Sequence, residues 1–448
     1  MDLGSLRDAK TIDPAADTVR IYMQQESSGS YFAFDGTSLY IQEAIPAAAD
    51  GSRTLTIEGI PAGNWLLIVA AGKAVEDTGG FYPLNYGVET TNIAADTDNP
   101  LTMTLSTEPP FEIATELVGK EITGAVEFNG NVYTFDAENE KLYFGPDESN
   151  LTEVSGFSTA LSGYTVYSID KGYTAIGADA VWINTDKGIV SYSIGGFETN
   201  FQTTEFPVKE SGGVYDTSSN LYVYYRLPNG FGGADYDSIA PEDTIWYKYD
   251  QFDEYFTGNF IRQFFVHELT ADSNTYAYFA TSLGAFRVNS TNIDTQIDNF
   301  IVEADFFTVS AGGESVPIRG LAYRDADQMV LATDSGVFIG NLAAADSVIT
   351  GVQRIANTEG ITFTRVAVSD NGTYLVALDK NAKLYVFKDL GSSFEMKEFP
   401  FYTGFPGGVS QMMFLPTSNI LYISGEGQDF ASGGFAKINV ETQIEWEN

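Results

Sequence analysis

The chain has no cysteine, so it carries no disulfide framework, no thiolate nucleophile and no cysteine-ligated zinc. It has a single histidine, His267, where a zinc or non-haem iron site draws on several His or Cys ligands, which all but excludes such sites. Basic side chains are scarce: 23 Lys and Arg stand against 61 Asp and Glu, for a net charge of −38. A charge of that size repels nucleic acid backbones and anionic lipid surfaces, and argues against nucleic acid as a partner. The acidity is spread over the whole chain, −10 across residues 1–110 and −28 across 111–448, as expected of a solubilising or salt-adapted surface rather than an acidic tail. Long apolar runs are also missing. The longest, Trp65 to Ala71, is far short of the roughly 18 or more residues of a membrane-spanning helix. The opening Met1-Asp-Leu-Gly-Ser-Leu-Arg-Asp8 has neither the basic start nor the apolar stretch of a signal peptide. The expectation is an exported chain, periplasmic, cell-surface or secreted, whose export segment has been trimmed; a lipoprotein without its lipidated cysteine is one form of this.

Several catalytic signatures are absent: the Gly-x-Ser-x-Gly elbow of serine hydrolases, the Gly-x-x-x-x-Gly-Lys phosphate loop and the Gly-x-Gly-x-x-Gly dinucleotide fingerprint. What the chain does have is a repeat. Aromatic residues make up 14%, glycines number 44, and no long amphipathic helix interrupts a succession of short apolar strands, so the class is all-β. Three segments, Val181–Tyr192, Tyr278–Val288 and Met329–Ile339, each read as strand, Thr-x-x-Gly turn, strand. Equivalent turns fall near Asp136, Thr185, Tyr225, Thr281, Thr333, Asp379 and Ser424, spaced by roughly 48 residues, the length of a four-stranded propeller blade. Seven units is the expected number. The Thr-x-x-Gly turn resembles the repeats of two-component-regulator-type and quinoprotein-like propellers. The Trp-Asp dipeptide of one common propeller class is missing, and Ser369-Asp-Asn-Gly-Thr-Tyr374 has the wrong spacing for a sialidase box.

Ahead of the repeats, Thr54-Leu-Thr-Ile-Glu-Gly-Ile-Pro-Ala-Gly-Asn-Trp-Leu-Leu-Ile-Val-Ala70 joins two alternating runs through a Pro-Ala-Gly turn. This stretch resembles the carboxypeptidase-regulatory-like and transthyretin-like β-sandwich modules, which act as spacers or supports. The expected organisation is a disordered lead-in over 1–16, a β-sandwich over 17–107 and a propeller over 111–448, with the Pro-Pro pair at 109–110 ending the sandwich because proline cannot continue a ladder.

Three groups of residues are candidates for function. Arg262, Arg319, Arg365 and Gln411 each sit at the start of an expected innermost strand, where they would ring one mouth of the channel and suit a carboxylate or carbonyl-bearing ligand; the competing reading is that each Arg pairs with a nearby acid to close the channel. Trp246, Tyr247 and Tyr249 follow the Gly-rich loop 228–244 and would stack on a sugar or grip a protein, or else form one blade's core. Asp235 and Asp237 could supply oxygen ligands to calcium, the most plausible metal for so carboxylate-rich a chain; Asp325 and Asp327 read as an ordinary hairpin turn, and His267 as a packed strand residue. The leading expectation is a non-catalytic extracytoplasmic binding or scaffold protein whose propeller mouth engages a protein or glycan of the cell envelope. The rival is a carbohydrate-active or lactone-cleaving enzyme that uses carboxylates, with calcium where the site requires it.

Overall fold

A computed structural model describes residues 16–25, 32–34, 40–44, 58–75, 80–94, 112–114, 117, 120–147, 150–174, 177–203, 206–215, 220–228, 230–236, 244, 246–249, 261, 263–281, 284–289, 309–311, 314–344, 348–380, 383–399, 409–415, 418–425 and 434–446. Strands dominate, and the only helix among them is one turn, Phe157–Ala160. From residue 112 onward the described strands form eight antiparallel sheets: a two-stranded hairpin, Val309–Ala311 with Glu314–Val316, and seven larger sheets that follow one another. Their first strands are Ile122–Phe128, Val166–Tyr173, Glu210–Tyr215, Gln263–Leu269, Ile318–Arg324, Phe363–Val368 and Val409–Phe414. Each first strand packs against the first strand of the next sheet, and the seventh returns to the first. That closed ring of radial sheets is a β-propeller, and the sheets are numbered here as blades 1 to 7.

The chain closes its own ring. Blade 7 takes three strands from the end of the chain, and Glu112–Ile113, which precede blade 1, pair with Gly434–Asn439 as its outermost strand. Ala114 N–H donates to the Phe435 carbonyl at 2.8 Å, while Ala114 and Leu117 are buried with Ile122, Tyr422 and Phe435 at the seam. Elsewhere the core lies between blades. Trp182 on blade 2 is fully buried among Val208, Leu221, Val223 and Tyr225 of blade 3 and the segment leading into it.

The Thr-x-x-Gly turns explain why the repeat is legible. In blades 2, 4 and 5 the threonine hydroxyl donates to the glycine carbonyl three residues on: Thr185 to Gly188 at 2.9 Å, Thr281 to Gly284 at 2.9 Å and Thr333 to Gly336 at 2.8 Å. Gly336 has φ +131°, a value that side-chain-bearing residues rarely adopt. Aspartate does the same work in the degenerate copies: Asp136 accepts from Asn139 N–H at 3.2 Å, and Asp379 from Lys383 N–H at 2.8 Å. Asp325 and Asp327 lie in a hairpin turn, Ala326 and Asp327 adopting φ of 60° and 55°.

Residues 18–93 form a separate four-stranded sheet in the order Ile41–Ala44, Thr18–Gln25, Gly63–Val75, Gly80–Ile93. Alternation sorts its faces: Val19, Ile21, Met23, Trp65, Leu67, Val69 and Ala71 share one cluster, Tyr22, Ile68 and Ala70 another. The Pro-Ala-Gly turn is held by Trp65, whose Nε1–H donates to the Pro61 carbonyl at 2.9 Å. Among the described residues this is one sheet. The run 54–57, the closing strand expected at Leu101–Leu105, the lead-in 1–15 and the Pro-Pro boundary lie outside them.

Candidate functional site

The inner strands of blades 1, 2, 5, 6 and 7 share a bulge near their start, where pairing skips from Ile122 to Ala125, Val166 to Ser168, Ile318 to Gly320, Phe363 to Arg365 and Val409 to Gln411. A bulge re-aims side chains, and one residue along a strand changes the face. Arg319 occupies the bulge of blade 5, whereas Arg365 and Gln411 sit one position later in blades 6 and 7. The consequence is visible in their partners. The Arg319 guanidinium turns to Asp334 in its own blade, with Nε donating to Oδ1 at 2.9 Å and an Nη also bonded to the carboxylate, so that its pKa is raised first by that hydrogen bond. It does not line the channel cavity, while Arg365 and Gln411 do. Gln411 Oε1 accepts from Ala125 N–H at 2.7 Å and ties blade 7 to blade 1. Arg262 lies outside the described residues. Arg319→Ala is expected to lower stability by no more than about 1 kcal/mol in urea unfolding, because the pair is partly solvated; a loss above about 2 kcal/mol would show a pair that is far more deeply coupled.

The cavity itself occupies about 750 Å³ at the hub and is lined by six of the seven blades. Among the described residues blade 5 contributes none to the lining, and its inner position next to Arg319 is Gly320. Across that gap the Gln263 amide reaches blade 6, Nε2 donating to the Val366 carbonyl at 2.9 Å and Oε1 accepting from Val366 N–H at 3.1 Å. A Cβ on residue 320 would press on the Gln263 side chain and sit 3.0 Å from the Thr364 carbonyl.

Among the described residues three acids and three bases line this space: Glu121, Asp170 and Glu210 against Lys209, Arg226 and Arg365. In a chain with 61 acids to 23 bases, that parity sets the lining apart from the acidic chain as a whole. Asp170 is buried on blade 2, its Oδ2 accepting from Asn184 Nδ2 at 2.7 Å and from Ser211 N–H of blade 3 at 2.8 Å. Burial, followed by the Glu210 charge, pushes its carboxyl up to about 7, against the opposing pull of those hydrogen bonds and of Arg226. Glu210 is paired with Arg226 at 3.1 Å. Lys209 Nζ stands over the Tyr167 ring, 3.1 Å from its centroid, and burial together with Arg226 lowers its pKa.

The other candidate residues are dispersed. Trp246 is half-buried in the core of blade 3, its ring centroid 6.1 Å from those of both Tyr225 and Tyr236. Tyr247 and Tyr249 belong to the outermost strand of that blade, opposite Gly233 and Phe231. Asp235 is exposed, opposite Tyr222 in the ladder, and Asp237 lies outside the described residues. Among the described residues no three His, Asp or Glu side chains converge as a metal ion requires. His267 links blades 4 and 5, its Nε2 2.8 Å from Asp327 Oδ1 and its ring stacked 4.0 Å from that of Tyr323.

Asp170, Lys209, Ser211 and Glu210 were not singled out by motif. One signal stood near them: the polar Lys209-Glu-Ser211 falls where five of the other six inner strands begin with Ile, Phe or Val.

No family model matches the chain, and neither does any curated protein. Solved structures to which it is similar include the β-propeller domain of Cps50 (Swd1) from Myceliophteria thermophila, 10% identical with TM-score 0.47 over 71% of this chain and 97% of that one. An inactive virginiamycin B lyase from Staphylococcus aureus, solved with quinupristin, is 12% identical with TM-score 0.44 over 73% and 98%. U3-55K is 11% identical with TM-score 0.45 over 71% and 95%. Identities this low speak to fold alone, and the propeller assignment stands on the ring of sheets itself. The fold and the polar cavity at its hub define the class: a β-propeller with a charge-balanced channel. No helix among the described residues is long and apolar enough to cross a membrane.

Proposed function

We propose that this chain is a non-catalytic binding or scaffold protein, exported to the cell envelope or beyond, whose propeller mouth engages a protein or a glycan. The observation that carries the reading is the channel cavity, about 750 Å³ and lined by six blades, in the size range of ligand sites and with acids and bases equal in number among its described lining residues, in a strongly acidic chain. The direct test is to immobilise the purified protein, pass envelope extract and growth-medium polymers over it at physiological salt, and identify what is retained. Specific retention of one protein or glycan, weakened at least tenfold by Lys209→Met together with Arg365→Met, is the expected result; clean flow-through over verifiably folded protein would sink the reading. Export, with lipid anchoring as one route, is tested by fractionating the source cells, and recovery only in the cytoplasm would overturn it.

A second reading, a carbohydrate-active or lactone-cleaving enzyme, draws specific support from Asp170. A buried carboxyl titrating near neutrality beside Glu210 has the character of a general acid. Calcium at Asp235 and Asp237 belongs to this alternative. It requires turnover of a glycoside or lactone that is lost in Asp170→Asn or on chelation, and normal rates after both would remove it.

A further inference from the structure

One amine in the hub cavity stands apart from the other lysines. Lys209, half-buried, immediately precedes the inner strand of blade 3 and lines the cavity. Its backbone is fixed on both sides: the N–H donates to the Arg226 carbonyl at 2.8 Å, and the carbonyl accepts from Ser168 Oγ of blade 2 at 2.8 Å. Nζ lies 3.1 Å from the centroid of the Tyr167 ring, and among the described residues no carboxylate pairs with it. Glu210, the acid next to it in the chain, is instead paired with Arg226, which stands opposite in the ladder. Lys120, Lys141, Lys383 and Lys397, by contrast, each face a carboxylate. An ordinary lysine is an inert cation at neutral pH, whereas one drawn out of water beside another cation becomes a nucleophile. Burial, then the Arg226 charge, lower the pKa of Lys209, while the Tyr167 ring holds its nitrogen at one point of the wall.

We propose that Lys209 is a covalent anchor: its amine, set in the cavity wall beside Arg226, captures the aldehyde of an entering ligand, such as the open-chain reducing end of a glycan, as a reversible imine. The inference rests on the reading of the channel mouth as a binding site, and it names the ligand's reactive group and the bond that holds it. The Nζ lone pair forms a bond to the carbonyl carbon, the C=O π pair moves to oxygen, and a proton passes from nitrogen to oxygen through solvent to give a carbinolamine. A second proton lets that oxygen leave as water while the nitrogen lone pair closes C=N, and the iminium returns the proton to solvent. One aldehyde and one amine thus give one imine and one water, with no oxidant or reductant, and hydrolysis releases the ligand intact. The titratable and charged groups around the amine are Tyr167 and Asp170 from blade 2 and Glu210 and Arg226 from blade 3, with Glu121 and Arg365 also in the cavity wall.

The test is reductive trapping on the full chain, with D-glyceraldehyde as the probe and cyanoborohydride to fix the imine as a secondary amine, each lysine being read by mass spectrometry. At about pH 7 Lys209 is expected to label at least about fivefold faster than Lys171, which is exposed on blade 2. Arg226→Met frees Glu210 to pair with the amine, so it should bring the Lys209 rate down to that of Lys171 and move the midpoint of its pH profile upward. Arg226→Lys should restore both. Labelling of Lys209 no faster than Lys171, or an unchanged rate in folded Arg226→Met, would overturn the proposal. A second arm uses the immobilised protein: cyanoborohydride added after envelope glycan is retained should leave that glycan attached through a denaturing wash on wild type and not on Lys209→Arg. Full release from reduced wild type would overturn the imine while leaving a binding propeller intact. No retention at all, with Lys209 still the fastest amine, would sink the broader reading and make a small free aldehyde the ligand.

Discussion

Replacing Trp182 with alanine is expected to cost about 3–5 kcal/mol, the range for removing a large buried aromatic. The indole is fully buried where blades 2 and 3 meet. Two glycines make room for it: a Cβ on Gly172, on the inner strand of its own blade, would fall inside the ring system, and one on Gly213, on the inner strand of blade 3, would lie 2.6 Å from Cη2. Its Nε1–H is also committed, donating to the Tyr173 carbonyl at 2.8 Å. Truncation thus removes the packing of both blades and leaves a cavity that two strands without side chains at those positions cannot fill. Urea unfolding followed by circular dichroism measures the cost, and a loss below about 1 kcal/mol would mean that the interface repacks. Gly172→Val approaches the same contact from the other side and should be at least as damaging, because the indole has no free space to move into.

Asp170→Asn is expected to act in the opposite direction and only at high pH. Folding raises this carboxyl from the ordinary aspartate range to about 7, so the folded protein holds the proton more tightly than the unfolded chain does. Below about pH 4 both states are protonated and the group contributes no slope. Between about 4 and 7 the unfolded chain releases its proton first, and wild-type stability falls as pH rises at up to roughly 1.4 kcal/mol per pH unit. Above 7 the whole penalty is present. Asparagine keeps an oxygen to accept from Asn184 and Ser211 N–H and never ionises, so it mimics the protonated form. The variant should match wild type at pH 4 and exceed it by a few kcal/mol at pH 8. The difference between the two proteins is the quantity to measure, since a chain of net charge −38 has its own general decline with pH. A variant that is less stable than wild type at pH 8 would show that Asp170 is ionised and well paired in the folded state.

The period was legible because a local device marks it. In blades 1, 2, 4, 5 and 6 a threonine or aspartate closes the turn between the second and third strands, and the partner it bonds lies within a few residues, so the spacing survives in sequence where the strands themselves vary. The channel was less legible for two physical reasons. The bulge that opens five inner strands shifts the facing of the next residue, and the row read as Arg262, Arg319, Arg365 and Gln411 mixes positions on either side of it. Arg319 accordingly meets Asp334, while Arg365 and Gln411 reach the cavity. The remaining charges are set by burial and by partners on the neighbouring blade: Asp170 owes its raised pKa to burial first and then to Glu210, about 40 residues further along the chain, and no local pattern carries that information. Trp246 shows the converse. An aromatic run beside a glycine-rich loop reads equally as an exposed grip or as one blade's core, and its first ring packs in the core of blade 3.

The central claim, that the hub cavity is where this protein meets its ligand, is tested most directly at Lys209. Burial and Arg226 lower the pKa of its amine, which makes it a more reactive nucleophile near neutral pH than an ordinary surface lysine. Brief amine acylation, with and without the fraction that the immobilised protein retains, can be read site by site by mass spectrometry. The account predicts that bound ligand shields Lys209 several-fold while Lys141, half-exposed on the third strand of blade 1 and paired with Glu153, reacts as before. Undiminished labelling of Lys209 in protein that has retained its partner would contradict it and move the binding surface off the channel.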